Sequence, residues 1–290
     1  MRRLALVALF AVACGASSQQ AQDVRLAYHK GDAYKYAIHS TANETIDAGI
    51  VTLPIKLDMT ANQMVTVNSV DAAGTADLSI EMSNLSLTTT INQAPTTTKV
   101  ASQTISMQVA KDGTLVSVNG NAMGSNPLTM LSGVGGGFIS AVLPDKPVKA
   151  GDKWSKTYDQ ANPTGSGSIH ITADSTYLKD EAKLAVIETT SNSTIDLTLD
   201  MSKMAAGQAG SSLPGLTPGA LQSLSFKGTV KSIVTSWIDP STHRVSKTHR
   251  TSNQDATMTL NLSPGATQGM AGLTGPIKIK GDETTDLTPA

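Results

Sequence analysis

The segment from residue 75 to residue 82 alternates strictly between polar and apolar side chains. The apolar set is Ala76, Leu78, Ile80 and Met82, and the polar set is Thr75, Asp77, Ser79 and Glu81. A period of two places the apolar set on one face of a β-strand, whereas an α-helix would scatter it around the helix axis. The alternation recurs along most of the chain with turn residues between the segments, which predicts antiparallel β-strands.

Two Gly-Asp pairs divide the chain into halves with a similar order of elements. Gly31-Asp32 and Gly151-Asp152 each precede a segment that has an aromatic residue two positions after the Asp, namely Tyr34 or Trp154. The later turns take matching places, at 71–74 and 111–113 in the first half and at 179–182 and 239–242 in the second. The sequence therefore predicts one β unit that occurs twice, and Tyr34 and Trp154 are interpreted as core anchors.

The predicted fold class is all-β and mainly antiparallel, with two duplicated curved sheets forming a half-barrel or sandwich and a short apolar helix or loop between the halves. The glycine- and threonine-rich C-terminal segment is predicted to be flexible, with only Ile277 and Ile279 indicating a short edge strand. The predicted parts are an export signal (1–13), a tether (14–23), a first β repeat with an apolar lid segment (24–143), a second β repeat (144–262) and a flexible tail (263–290).

The N-terminus has the pattern of an export signal. Met1-Arg2-Arg3 is basic, and the apolar run over 4–13 is shorter than the roughly 20 residues that span a bilayer. Residues 11–14 resemble the lipobox of bacterial lipoproteins, with Ala11 where leucine is usual, which predicts lipid attachment at Cys14 and a membrane-anchored protein of the bacterial envelope. The alternative is ordinary cleavage after Ala-x-Ala, which would leave a soluble secreted protein.

Composition restricts the function classes. The 290-residue chain has a formal net charge of −1, and aromatic residues make up 3% of it. Nucleic-acid binding is not expected, since it needs basic side chains for phosphates and usually aromatic faces for bases. The single Cys excludes a disulfide framework. With 39% hydrophobic residues the chain is able to bury a core.

Residues 121–143 interrupt the alternation. Apolar side chains surround a glycine-rich stretch at 133–137, where each glycine weakens a helix by about 1 kcal/mol relative to Ala. We interpret this segment as a short broken helix or an apolar loop across an opening of the sheet. With the inward residues of both halves it predicts the lining of an apolar ligand site: Leu57, Met59, Leu78, Ile80, Met82, Leu128, Leu131, Phe138, Ile139, Leu197 and Leu199.

No catalytic residue, metal site or cofactor is predicted. The chain has no Gly-x-Ser-x-Gly elbow, His-Glu-x-x-His pair or Walker sequence. Asp32 and Asp152 are interpreted as turn residues that accept backbone N–H bonds. The histidines, which are the usual bases and metal ligands near neutral pH, form no close pair along the chain: His29, His39, His170, His243 and His249.

Several motifs resemble one uncharacterised bacterial family. They are Lys30-Gly31-Asp32 with Tyr34 and Tyr36, Val70-Asp71 before Gly74, and the run from Leu143 to Trp154 with Pro144, Lys146-Pro147-Val148-Lys149 and Gly151-Asp152. The family is catalogued as domain of unknown function 6263, and the resemblance covers most of residues 24–262. It implies an exported and often lipid-anchored protein, and it supplies no catalytic residues. A looser similarity at the level of fold is to periplasmic lipoprotein carriers, whose curved sheets hold acyl chains.

Two functional hypotheses follow from the sequence. The first is a non-enzymatic binding or structural module of the envelope that holds a hydrophobic ligand such as an acyl chain. The second is a protein-interaction scaffold without a small-molecule ligand, which would use its Ser/Thr-rich faces or exposed strand edges. An enzyme would require carboxylates or histidines to converge from distant strands, and no pattern in the sequence indicates such a catalytic site.

Overall fold

The computed structural model describes residues 21–49, 51–119, 140–161, 165–200, 221–263 and 275–290, and these contain β-strands and no helix. Among these residues there is accordingly no apolar helix of membrane-spanning length. The strands are β1 (Ala33–Asp47), β2 (Thr52–Val70), β3 (Ala76–Ile91), β4 (Ala94–Val100), β5 (Gln103–Val109), β6 (Leu115–Asn119), β7 (Lys153–Ala161), β8 (Gly165–Glu181), β9 (Leu184–Asp200), β10 (Leu221–Asp239), β11 (Arg244–Leu262) and β12 (Ile277–Pro289).

These strands form one antiparallel sheet in the order β6-β5-β3-β2-β1-β12-β11-β10-β9-β8-β7, with β4 paired to the far half of β3. Most neighbours in the sheet are also neighbours along the chain, as expected for hairpin connections. The end strands β6 and β7 approach each other, so the sheet curls nearly into a closed barrel. The prediction of an all-β antiparallel fold is confirmed. Instead of two sheets there is one, because β12 pairs with both β1 and β11 and so joins the two halves.

Strand β12 lies in the middle of this sheet, so the predicted flexible tail is wrong for residues 277–289. The sequence of β12 does not show a regular apolar alternation, because polar side chains occupy some of the inward positions. The buried residues of β12 are Ile277, Ile279, Glu283, Thr285 and Leu287. Gly281 permits the close approach of β1, since a Cβ atom at this position would lie 2.6 Å from the carbonyl oxygen of Asn43.

The two Gly-Asp turns have the same local structure. In each turn the glycine has a positive φ (90° and 94°). Its N–H donates to a backbone carbonyl on the second strand of the hairpin that follows the turn, which is β2 in the first half and β8 in the second. The residue that accepts this bond donates its own N–H back to the carbonyl of the turn aspartate. A register shift follows that residue in both halves. The matching trios are Gly31, Asp32 and Val67, and Gly151, Asp152 and Tyr177.

Two segments that precede these turns cover the same end of the sheet, called here the Gly-Asp end. Backbone bonds join Gln22 to Val148, Leu26 to Lys111 and Leu143 to Asp112. Two backbone N–H groups of the second segment donate to side-chain hydroxyl groups inside the sheet. Ala141 donates to Ser236 at 2.7 Å, and Val142 donates to Thr189 at 2.9 Å. The apolar cluster formed here contains Val24, Leu26, Ala141, Leu143, Val148, Tyr177, Ala185, Ile187 and Ile238.

These contacts revise two predictions. The tether predicted over 14–23 does not extend through Gln22, since that residue is paired with Val148. The end of the predicted lid, residues 140–143, is buried inside the sheet, and the rest of the lid lies outside the described residues. Trp154 packs against this cluster and donates its indole N–H to the Val142 carbonyl at 2.9 Å, as suits a core anchor.

Candidate functional site

A cavity of about 40 Å³ lies inside the sheet near the Gly-Asp end, between the first repeat and β11. Its floor is aliphatic, whereas three tyrosines and one arginine form much of its wall. We call it the tyrosine cavity. Its lining residues are Tyr28, Tyr34, Tyr36, Val65, Leu78, Val109, Arg244, Val245, Thr248 and Leu287.

Arg244 and Tyr34 bring the two repeats together at the wall of the cavity. Tyr34 and Tyr36 share one face of β1, while Arg244 begins β11 directly after the turn in which His243 has φ 55°. The guanidinium carbon of Arg244 lies 4.7 Å from the centre of the Tyr34 ring, a cation–π distance. Nη2 of the same side chain lies 3.3 Å from Oδ2 of Asp32. The Tyr36 hydroxyl donates to the Val245 carbonyl at 2.8 Å.

Asp32 belongs to the turn and contacts two residues of the cavity wall, Tyr34 and Arg244. Its carboxylate accepts the Tyr34 hydroxyl at 2.6 Å and the backbone N–H of His29 at 3.2 Å. The Tyr34 hydrogen bond is the main cause that lowers the pKa of Asp32, and Arg244 contributes in the same direction. Burial raises the pKa of Tyr34, and burial raises that of Tyr36 to about 12. Both tyrosines therefore stay protonated at neutral pH and act as hydrogen-bond donors.

Other interior groups next to the cavity have polar atoms without hydrogen-bond partners. Gln63 is 2% exposed, lies two residues before Val65 on the same face of β2 and pairs across strands with Tyr36. Neither its amide nitrogen nor its amide oxygen has a partner. Arg250 follows Thr248 by two residues on the inner face of β11, and its Nε and Nη1 atoms are buried without a hydrogen bond. Alternate residues of a strand lie about 7 Å apart, so both side chains are neighbours of the cavity lining without belonging to it.

A polar band continues inward from the cavity across β1, β12 and β11. Glu283 accepts hydrogen bonds from Ser40, Thr285 and Ser252, and it lies 3.9 Å from Nη1 of Arg250. Glu44 accepts the amide N–H of Gln254 at 2.9 Å. Burial raises the pKa of Glu44, and the neighbouring carboxylate of Glu283 raises it further. The polar band consists of Ser40, Glu44, Arg250, Ser252, Gln254, Glu283 and Thr285.

Replacing Glu44 by Gln should stabilise the fold at neutral pH. A carboxyl group whose pKa is raised on folding stabilises the folded state fully below its unfolded pKa, and this contribution is lost as the pH rises through the folded pKa. Gln cannot ionise and keeps an acceptor for Gln254. Urea unfolding at pH 7 should show Glu44→Gln more stable than the wild type by about 1 kcal/mol, the size of one polar contact. At pH 3 the two proteins should be equal, and a less stable variant at pH 7 would contradict this.

The cavity itself is tested by adding one methylene group at two positions of β2. Val65 lines the cavity, whereas Val67 lies two residues further on in the same apolar cluster and does not. Val65→Ile should leave the free energy of unfolding unchanged or raise it by up to about 1 kcal/mol, because the new group enters the cavity. Val67→Ile should lower it by about 1–3 kcal/mol through overpacking. Equal losses in urea unfolding would show that no space exists beside Val65.

The candidate lining residues are distributed over two clusters. Leu78 lines the tyrosine cavity, and Met59, Ile80 and Met82 belong to the apolar cluster around it, while Leu57 is half-buried on β2. Leu197 and Leu199 lie in a separate cluster with Ile195, Leu224 and Phe226. The structure does not bring these two sets together. Leu128, Leu131, Phe138, Ile139 and Cys14 lie outside the described residues.

The described residues hold no group of three or more His, Cys, Asp and Glu side chains placed to bind a metal. His170 and His249 each contact one aspartate, Asp159 or Asp286, at 2.7 Å on the exposed surface. Asp152 accepts the backbone N–H of Lys149 at 3.0 Å, as predicted for a turn residue.

Sequence reasoning missed the polar members of the site, Tyr28, Tyr36 and Arg244. It also missed the buried polar residues beside the site, Gln63 and Arg250. The sequence does contain a signal for Arg250, because it shares strand parity with Met258, Leu260 and Leu262. Continuing that parity back along β11 places Arg250, Ser252 and Gln254 on the inner face. A prediction based only on apolar alternation assigns polar residues at these positions to the outer face of the sheet.

No family model and no curated protein matches this chain. A structure of lipovitellin, which concerns lipid–protein interactions, is similar over 91% of this chain and 26% of that chain, with 8% identity and a TM-score of 0.46. The chain thus spans about a quarter of the lipovitellin chain. DynF, from the dynemicin biosynthesis pathway of Micromonospora chersina, covers 92% of this chain and 84% of its own, with 8% identity and a TM-score of 0.25. Neither similarity is close enough to carry an argument, and the family resemblance stays a prediction.

Proposed function

We propose that this protein is a non-enzymatic binding module of the bacterial cell envelope that holds a ligand in the tyrosine cavity. The observation that carries the proposal is a cavity with an aliphatic floor whose wall includes Arg244, and the buried Nε atom of this residue has no hydrogen-bond partner. Binding sites for small molecules combine an apolar lining with a few fixed polar groups. Leu78, Val109 and Leu287 supply the apolar part, and Arg244 and Thr248 supply polar groups.

The size of the cavity limits what enters it. About 40 Å³ is less than a third of an engineered cavity of roughly 150 Å³ that binds benzene. A whole acyl chain therefore does not fit between these residues as they stand. The cavity accepts a small molecule, or one end of a larger amphipathic molecule whose remainder lies elsewhere.

Native mass spectrometry after mild extraction tests the binding function. The wild-type chain should carry a bound molecule, and Val65→Ile should carry less of it because the added methylene occupies the cavity. Val67→Ile is the matched control and should retain the wild-type occupancy. A wild-type protein free of any bound molecule, together with identical spectra for both variants, would contradict the proposal.

The envelope location rests on the N-terminal sequence and has its own test. Lipid attachment at Cys14 predicts that the wild type incorporates labelled fatty acid and partitions with membranes. Cys14→Ser should lose nearly all of the label and appear in the soluble fraction. An unlabelled wild-type protein in the soluble fraction would instead support ordinary signal cleavage and a secreted protein.

A protein-interaction scaffold is the second candidate, and the exposed strand β4 favours it. Among the described strands β4 pairs only with β3, and six of its seven residues are exposed. An open strand edge is able to accept a further strand from a partner. Thr97→Pro would remove one backbone donor from this edge, and a pull-down of envelope proteins unchanged by it would argue against this use of β4.

A further inference from the structure

The two ends of the described sheet, β6 and β7, approach each other without pairing. β6 is the shortest of the described strands, and it pairs with β5 at four positions that include a register shift. Parts of a fold with few stabilising contacts open locally at a lower free energy than the centre of a sheet. The hairpin of β5 and β6 is therefore a part of the sheet that opens readily.

This hairpin contributes to the wall of the tyrosine cavity. Val109, the last residue of β5, lines the cavity, and the turn 110–114 follows it directly. The carbonyl of Lys111 in this turn accepts the N–H of Leu26 at 2.8 Å. Leu26 lies two residues before Tyr28, which also lines the cavity. A movement of the turn therefore displaces two members of the cavity wall.

Asp112 connects this turn to the second repeat. Its backbone carbonyl accepts the N–H of Leu143 at 2.8 Å, and its carboxylate forms an ion pair with Lys156 of β7. Nζ of Lys156 also lies 3.3 Å from the hydroxyl oxygen of Thr114. Burial raises the pKa of Asp112, but the hydrogen bonds from Lys156 and Thr114 outweigh burial and lower it. The carboxylate therefore stays charged at neutral pH.

Lys156 lies on the inner face of β7, although charged side chains usually face the solvent. It has the same strand parity as Trp154 and pairs across strands with Ala173, which has no exposed surface. An inward charge on an end strand also prevents that edge from pairing with other chains. This role needs no partner inside the fold, whereas Lys156 reaches Asp112 and Thr114 of the other end of the sheet.

We propose that the β5–β6 hairpin is the gate of the tyrosine cavity and that the ion pair of Lys156 with Asp112 holds this gate closed. When the pair separates, the hairpin moves away from β7, and Val109 leaves the cavity wall. The cavity then opens to molecules in the solvent. This inference goes beyond the proposed binding function, because the opening of the gate is measured without a ligand.

Thiol labelling measures this opening. The chain has one cysteine, so Val109→Cys in a Cys14→Ser background carries a single thiol, at the gate. When reclosing is fast, the rate of labelling by an aromatic disulfide reagent follows the population of the open form. Lys156→Met leaves a partly buried carboxylate without its counter-charge and should raise this rate by about ten-fold or more. An unchanged rate would overturn the proposal.

Two matched controls separate gate opening from a general loss of stability. Val234→Cys places the same thiol at a buried position of β10, a strand paired on both sides, and Lys156→Met should not change its labelling rate. Lys227→Met removes a lysine that pairs with Asp196 at 3.0 Å on the exposed surface, and it should leave the rates of both thiols unchanged. An equal increase at both thiols in Lys156→Met would show unfolding of the whole sheet and would overturn the gate.

Lys156→Arg tests the gate with the positive charge retained. This variant should label Val109→Cys at the rate of the wild type, because an arginine is able to form the same ion pair with Asp112. It keeps the proposal testable if Lys156→Met does not fold. A rate raised by about ten-fold in Lys156→Arg would mean that the charge does not hold the gate, which contradicts the proposal.

Discussion

Removal of residues 275–290 should abolish folding. This truncation deletes β12, which pairs along its length with β1 on one side and with β11 on the other. It exposes the edges of both neighbours and removes the buried side chains of Ile277, Ile279 and Leu287. Two long unpaired edges in the middle of a sheet promote aggregation rather than a smaller stable fold. Circular dichroism should show no cooperative unfolding transition, and most of the truncated chain should be insoluble.

Deletion of residues 288–290 provides the control for this truncation. These three residues are exposed, although Thr288 and Pro289 pair with β1. Their removal should cost no more than about 1 kcal/mol, because the buried part of β12 remains. A soluble, cooperatively unfolding protein after the longer truncation would contradict the central position of β12 and restore the flexible tail.

Tyr177→Ala should lower the free energy of unfolding by about 3–5 kcal/mol, the usual loss for a buried aromatic residue. Tyr177 has no exposed surface and packs at the Gly-Asp end against Leu143, Val148 and Ile238. Its backbone also completes the second Gly-Asp turn, and its hydroxyl donates to Asp180 at 2.5 Å. Urea unfolding measured by intrinsic fluorescence gives the free energy for the wild type and the variant.

Two further variants separate the contributions of Tyr177. Tyr177→Phe keeps the ring and should cost only about 1 kcal/mol for the lost hydroxyl bond. Leu178→Ala changes the next residue, which is 43% exposed, and should stay within about 0.5 kcal/mol of the wild type. If Tyr177→Ala cost no more than Leu178→Ala, the segments over the Gly-Asp end would not form the packed cluster described here.

The sequence predicts those parts of the fold where the inner face is aliphatic and the turns have strong signals. The alternation of Ala76, Leu78, Ile80 and Met82 correctly places these residues inside β3. The Gly-Asp pairs predict two turns that prove to have the same hydrogen bonds, because only a left-handed residue allows this geometry and glycine adopts it readily.

Where polar residues occupy the inner face, the pattern no longer predicts the structure. β12 places Gly281, Glu283 and Thr285 on inward positions, and apolar periodicity therefore does not reveal it. The same holds for β11, where Arg250 and Gln254 occupy inward positions and belong to the polar band. β12 joins the two halves by pairing with β1, which is distant from it in the sequence. Local propensity does not specify such partners.

The sequence predicts the candidate site only in its aliphatic part. Leu78 is predicted because its strand alternates, whereas Arg244 joins the site through contacts with Asp32 and Tyr34, which depend on the tertiary structure. The cavity also needs Tyr28 from one covering segment and Val245 from the other repeat. Their convergence follows from the curvature of the sheet, which is set by interactions between strands.

The central claim, that this protein binds its ligand inside the sheet at the tyrosine cavity, is tested most directly by methyl NMR. Spectra are compared for protein as extracted from the envelope and for the same protein after unfolding and refolding, which removes a bound molecule. Methyl resonances of Val65, Leu78, Val109 and Leu287 should shift, while those of Leu197, Leu199 and Leu224 in the distant cluster should not. Identical spectra, or shifts confined to the distant cluster, would contradict the claim.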